Sequence, residues 1–377
     1  MKKLILSIFV VATLFSCSKS DITYEQEETA IGFAPIAKNI TKNVAGYDYN
    51  PGTNDEPNSK FDTFDGIFPT EVDLYVFANA VEGTYSAQNV GSPYFQNAQF
   101  EWNSAKGTES TQGNSINTAG AYKGTPTRYW PNVKTLVFAG YSDACGVEKT
   151  TATMDFATNT LTIPSYTQNN ATYTDEGTND LMWFPCDGNA YSKQADEIAA
   201  QMKHACSWIT INVAGDDVTE NNWTLNSLVV KQLVHTGSVA CNATSATWTI
   251  ARDAAKNDED YYNPATGTTF TTSFVKYEKA ANNFIVIPQV PTSLDVTYTY
   301  TSQENNGTQS AITFTETKNV PLNYDASNSA WMSGYHYIYN VKITASEILI
   351  DPYVATWTEY DSDAQEDGNQ PIGIPNI

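Results

Sequence analysis

The chain has 377 residues, of which 20 are Lys or Arg and 42 are Asp or Glu, giving a formal net charge of −22. So acidic a chain, with no basic patch, excludes nucleic acid as a partner, because phosphate binding draws its affinity from clustered Lys and Arg. Charged residues make up 16% of the sequence, while Thr, Asn, Tyr and Trp are plentiful and β-branched runs recur, a composition of strands rather than helices.

Lys2 and Lys3 precede the apolar run Leu4 to Phe15, which ends in Ser16 and Cys17. This reads as a secretory signal over residues 1–16, too short to cross roughly 30 Å of hydrocarbon as a helix. Leu14-Phe15-Ser16-Cys17 resembles a lipobox, which makes Cys17 the lipidation site and mature N-terminus; the alternative is an ordinary signal peptide with a chance Cys. Acyl chains at about 0.8 kcal/mol per buried methylene then hold the protein to the outer membrane. Loss of residues 1–16 removes two lysines and no acid, moving the formal charge from −22 to −24. Residues 17–29, with Asp21, Glu25, Glu27 and Glu28, read as a solvated tether.

Next comes Ala30-Ile31-Gly32-Phe33-Ala34-Pro35-Ile36, an apolar segment that in extended geometry turns Ile31 and Phe33 to one face. Lys38 and Lys42 follow it and are the candidates for proteolytic processing. Period-2 segments bounded by turn residues then recur at Val72 to Phe77, Thr135 to Gly140, Trp208 to Val213, Leu225 to Val230, Phe284 to Ile287, Asp295 to Thr301, Tyr335 to Thr344 and Ile348 to Ile350. Short antiparallel strands are the economical reading. Only Tyr191 to Ala205, with its Ala and Glu content, suggests a helical turn. Asn50 to Lys60, Asn103 to Asn117 and Asp253 to Gly267 read as long polar loops. Length favours two domains, divided near residue 190: an all-β chain of two tandem β-sandwiches over 30–190 and 191–360, with an extended tail over 361–377.

Several phrases together resemble the fimbrillin family of Bacteroidales. They are Val72-Asp73-Leu74-Tyr75-Val76-Phe77, Arg128-Tyr129-Trp130-Pro131 before Leu136 to Tyr141, the His204 to Val213 strand, Phe284-Ile285-Val286-Ile287-Pro288-Gln289, and Trp331-Met332-Ser333-Gly334-Tyr335-His336-Tyr337-Ile338-Tyr339-Asn340-Val341. Ile348 to Pro352 and Trp357 follow. The resemblance implies transthyretin-like sandwiches, export as a lipoprotein, proteolytic removal of an N-terminal strand, and polymerisation by strand donation. Its partners would be other pilus subunits, in a homo- or hetero-polymer, and a host or bacterial surface ligand. The family is cut after a basic residue, often Arg; here the first Arg is Arg128, a departure from the family's pattern that leaves the processing site, and processing itself, open. Read as residues alone, the same phrases are core: Trp130, Trp208, Trp331 and Trp357 suit packing better than a ligand platform.

The tail Pro371-Ile372-Gly373-Ile374-Pro375-Asn376-Ile377 repeats the N-terminal segment, with Ile372 matching Ile31, Gly373 matching Gly32 and Ile377 matching Ile36. Ile372 and Ile374 share a face as Ile31 and Phe33 do, so one segment can stand in for the other. A sandwich lacking an edge strand exposes an apolar groove and unpaired backbone groups, which favours addition of a strand from another chain. Pro371 and Pro375 interrupt the tail as a regular strand.

Catalytic signatures are not found. His204, His235 and His336 lack metal-ligand spacing, and there is no nucleophile elbow, Walker loop or dinucleotide fingerprint. No cofactor, metal or catalytic residue is expected. Cys145, Cys186, Cys206 and Cys241 form no CxxC pair and read as buried thiols, although export permits a disulfide. Two functions follow: a non-enzymatic structural and adhesive subunit of a cell-surface fimbrium, or a glycan-binding lipoprotein of a polysaccharide-uptake system whose aromatic rings stack on sugars.

Overall fold

The structure, a computed structural model, describes residues 29–37, 73–103, 121–142, 151–168, 180–194, 197–215, 221–269, 272–277, 284–302, 312–325, 327–344 and 348–356. Over these residues the protein is all-β, with 21 strands. The alternating segments form where expected: β2 (Leu74–Val81), β5 (Thr135–Ser142), β10 (Ser207–Gly215), β11 (Asn221–Val234), β17 (Phe284–Val286), β18 (Ser293–Ser302), β20 (Tyr335–Ile343) and β21 (Ile348–Thr356).

The N-terminal part is a closed barrel with the order β1-β4-β3-β2-β5-β8-β9. Its other members are β1 (Gly32–Ala37), β3 (Ser92–Asn103), β4 (Ala121–Gly124), β8 (Met182–Phe184) and β9 (Ile198–His204). Leu74, Val76, Phe95, Phe100, Tyr122, Phe138 and Met202 fill the interior around Ile31 and Phe33. Alternation sends Tyr75, Phe77, Val137 and Ala139 the other way, into a second core. Both faces of β2 are therefore buried along its length, which is why it reads as a nearly continuous apolar run.

That second core lies against a four-stranded sheet, β13-β12-β7-β6, formed by β6 (Thr153–Asp155), β7 (Thr160–Thr167), β12 (Thr236–Cys241) and β13 (Ala246–Thr249). The C-terminal part packs two sheets, one on β10 and β20 and one on β11, β18 and β19 (Ile312–Pro321). Their inner faces meet through Ile209, Ile211, Tyr337, Tyr339, Trp223, Leu225, Leu294 and Val296.

Two expectations are corrected. The segment expected to hold a helical turn is strand β9, whose inward Ile198, Ala200 and Met202 alternate with outward Ala199, Gln201 and Lys203; pairing with β1 and β8 overrides the helical preference of its Ala and Gln. The polar stretch Asp253 to Gly267 contains β14 (Lys256–Tyr262), an edge strand held to β11 through its backbone; Lys256, Asn257, Asp258 and Asp260 stay exposed, while Tyr261 is buried in the core, where its hydroxyl accepts from Ile211 N at 2.8 Å. The division near residue 190 also differs from the pairing. β9 follows it yet belongs to the barrel, and β7 precedes it yet pairs with β12.

Candidate functional site

The first strand occupies a slot between two strands that do not pair with each other. β1 runs antiparallel to β4, with Gly32 opposite Lys123 and Phe33 opposite Tyr122. On its other side it runs parallel to β9, from Phe33 opposite Ile198 to Ala37 opposite Met202. β1 is thus the link that closes the ring. Withdrawing it leaves β4 paired only to β3 and β9 only to β8 among the described strands, exposing two ladder edges.

The slot is lined by the residues the sequence marks as aromatic and apolar. Ile31 and Phe33 are fully buried. The Phe33 ring meets Phe100 edge-on at 4.9 Å between centroids, Phe138 edge-on at 5.3 Å, and Phe184 at 5.9 Å. Burial of two such side chains contributes about 1.5–3 kcal/mol each. The phrase Arg128-Tyr129-Trp130 grips the start of the strand: Ile31 N donates to Arg128 O at 2.7 Å and Trp130 N donates to Thr29 O at 3.0 Å. Trp130 is itself buried, edge-on to Phe138. A salt bridge of 3.0 Å joins Lys123 Nζ on β4 to Glu197 Oε1 just before β9, so it spans the slot.

Other sequence-predicted positions are placed as follows. The backbone of Ile36 pairs with Gln201. Cys17, Lys38, Lys42, Cys145, Trp357, Ile372, Ile374 and Ile377 lie outside the described residues. Trp208 and Trp331 are in the core.

The three histidines are buried in unrelated places. His204 Nδ1 lies 2.6 Å from Asp180 Oδ2, and His235 Nε2 lies 3.1 Å from Glu259 Oε1. His336 stacks on Trp208 at 3.7 Å between ring centroids, and its Nε2 is 2.8 Å from Thr210 Oγ1. Burial, with the Lys276 charge second, holds the His336 imidazole well below its usual pKa, so it is neutral.

Cys186, Cys206 and Cys241 are buried free thiols. Burial pushes all three up in pKa, which leaves them unreactive. Among the described residues no group of three or more His, Cys, Asp or Glu is placed to hold a metal ion.

Comparison with known proteins gives two findings. A family model described as fimbrillin-like matches residues 72–357. Among solved structures, a fimbrial protein from Bacteroides vulgatus superposes with a TM-score of 0.52 at 14% identity, covering 76% of this chain and 92% of that one. A candidate cell adhesion protein from Bacteroides ovatus gives a TM-score of 0.44 at 15% identity, covering 89% of this chain and 99% of that one. The C-terminally truncated tip fimbrial protein Mfa3 from Porphyromonas gingivalis gives 0.32 at 9%, covering 76% and 94%. The likeness in fold rests on the first of these alone. No curated protein sequence matches the chain.

Proposed function

The chain belongs to the fimbrillin-like family, and on that premise we propose that it is a non-enzymatic structural and adhesive subunit of a surface pilus. In this reading its two parts are tandem transthyretin-like sandwiches, and it is exported as an outer-membrane lipoprotein acylated at Cys17. A cut at Lys38 or Lys42 frees β1, and the tail of a neighbouring copy then fills the vacated slot with Ile372, Ile374 and Ile377. The observation that carries the reading is the seat of β1. A short N-terminal strand supplies two core side chains and both ladder contacts between β4 and β9, so its loss opens an apolar groove of strand width without cutting any other described strand.

The order of events follows from the residues. Phe33 fills more volume than Ile374, and β1 is tethered to its own barrel, so the resident strand outcompetes the tail until the tether is cut. Proteolysis is then the trigger. The glycan-binding alternative is weakened because Trp130, Trp208 and Trp331 are committed to cores.

The test is trypsin treatment of the mature chain, residues 17–377 with Cys17→Ser. The pilus reading expects loss of residues up to Lys38 or Lys42, followed by ladders that resist mild denaturant. A truncated protein that stays monomeric at high concentration would contradict it.

A further inference from the structure

At Gly32 the slot is covered as well as lined. Ile31 and Phe33 point into the barrel, so a side chain at position 32 points outward. That outward position is taken by the Lys123–Glu197 pair. Lys123 sits opposite Gly32 on β4, and Glu197 immediately precedes Ile198, the partner of Phe33 on β9. Their 3.0 Å contact crosses the strand over the glycine, and both side chains are mostly buried, at 14% and 25% exposure. A Cβ built on Gly32 falls on Lys123 Nζ, within 2.9 Å of its Cε and 3.2 Å of Glu197 Cγ. Any side chain at this register therefore displaces the ammonium and parts the two charges.

We propose that the Lys123–Glu197 pair is a clasp that selects which strand occupies the slot by requiring glycine at the register of Gly32. The inference rests on the strand-exchange reading for its second occupant, the tail of another copy. There Gly373 stands between Ile372 and Ile374 as Gly32 stands between Ile31 and Phe33. The clasp discriminates where apolarity does not. Phe284-Ile285-Val286-Ile287 offers apolar knobs at the same spacing but has no glycine between them, so seating it would break the pair. Such rejection of near-matches is a usual source of specificity between competing partners. The obstructing atoms are the end of a flexible side chain, so the cost of a wrong residue is the ion pair and not a backbone clash. One charge-assisted hydrogen bond corresponds to about tenfold in an equilibrium constant.

Two measurements test this on the chain of residues 17–377 with Cys17→Ser. The first is a double-mutant cycle on the intact protein, which cancels the intrinsic effect of replacing Gly by Ala in a strand. Gly32→Ala should lower the folding equilibrium constant about tenfold more in the wild-type slot than in Lys123→Ala/Glu197→Ala. Absence of that coupling overturns the clasp, whatever else is seen. The second uses synthetic peptides of residues 370–377, natural and Gly373→Ala, binding to protein from which trypsin has removed β1. The natural peptide should bind about tenfold more tightly, and the double variant should not discriminate. Equal binding of both peptides to the wild-type slot refutes selection of the tail and leaves strand exchange standing. Failure of both peptides to bind, with coupling present in the intact chain, refutes strand exchange and confines the clasp to β1.

Discussion

Replacing Phe33 by Ala removes the side chain that joins β1 to the barrel core. Phe33 is fully buried and meets three aromatic rings within 6 Å between centroids. Large-to-small changes at such sites cost about 3–5 kcal/mol, because the removed ring leaves a cavity as well as losing its transfer free energy. That is a large part of the roughly 5–15 kcal/mol that stabilises a typical domain. The loss should appear in two ways. Urea unfolding of the intact chain should shift to a lower midpoint with an unchanged slope. After trypsin cuts beyond Ala37, the severed N-terminal fragment should leave the barrel more readily, by about 150-fold for a loss of 3 kcal/mol. Size-exclusion chromatography of the cut protein, with mass spectrometry of each fraction, follows the fragment. Phe33→Ile, which places the tail's residue type in the slot, should fall between wild type and Phe33→Ala. If Phe33→Ala leaves both the midpoint and the fragment's retention unchanged, β1 is not part of the barrel core and the reasoning fails.

Three further outcomes follow. Pro375→Ala in the tail peptide should tighten binding to the emptied slot by about fivefold: Ile31 N donates to Arg128 O, away from β9, so by alternation Ala34 N points to β9, and Pro375 lacks the donor at the matching position, worth about 1 kcal/mol net. Weaker binding of that peptide would mean that the tail sits in another register. His336 should make stability fall with acid below pH 6.5, since the folded state keeps the imidazole neutral while the unfolded chain takes up a proton there. The loss is at most about 1.4 kcal/mol per pH unit, and urea midpoints between pH 6.5 and 5 should show His336→Asn removing this component; an unchanged slope would contradict the buried, neutral assignment. Cys17→Ser should abolish palmitate labelling and shift the protein out of the membrane fraction, and continued labelling would place the lipid elsewhere.

The strands buried on both faces were the most legible part of the sequence. β2 and β5 are nearly continuous apolar runs because each is packed from two sides, and β10, buried along its whole length, alternates Ile209, Ile211 and Val213 with the buried polar Thr210 and Asn212. β14 was hidden because its exposed edge residues are polar and Tyr261 is the one buried side chain among its seven residues, too little to show an apolar alternation. β9 was hidden for another reason: Ile-Ala-Ala-Gln-Met-Lys-His has helical propensity, and only its partners β1 and β8 make it a strand. The segment around Ile31 and Phe33 was readable as an extended piece with one apolar face. Its seat was not, because parallel pairing with β9 links residues more than 160 positions apart, and topology rather than local pattern sets such contacts. The Lys123–Glu197 pair, 74 positions apart, was invisible for the same reason. The family resemblance needed none of this, since its phrases are local, lying in strands such as β2, β5 and β20 and in the turns that precede β5 and β20.

Electron cryomicroscopy of filaments assembled from the trypsin-cut chain addresses the central claim most directly. Density between β4 and β9 should fit residues 371–377 of a neighbouring subunit, with Ile372 and Ile374 inside the barrel and Gly373 beneath Lys123 and Glu197. Filaments in which that slot still holds residues 31–36 of its own chain, or in which Ile372 and Ile374 lie in solvent, would contradict it.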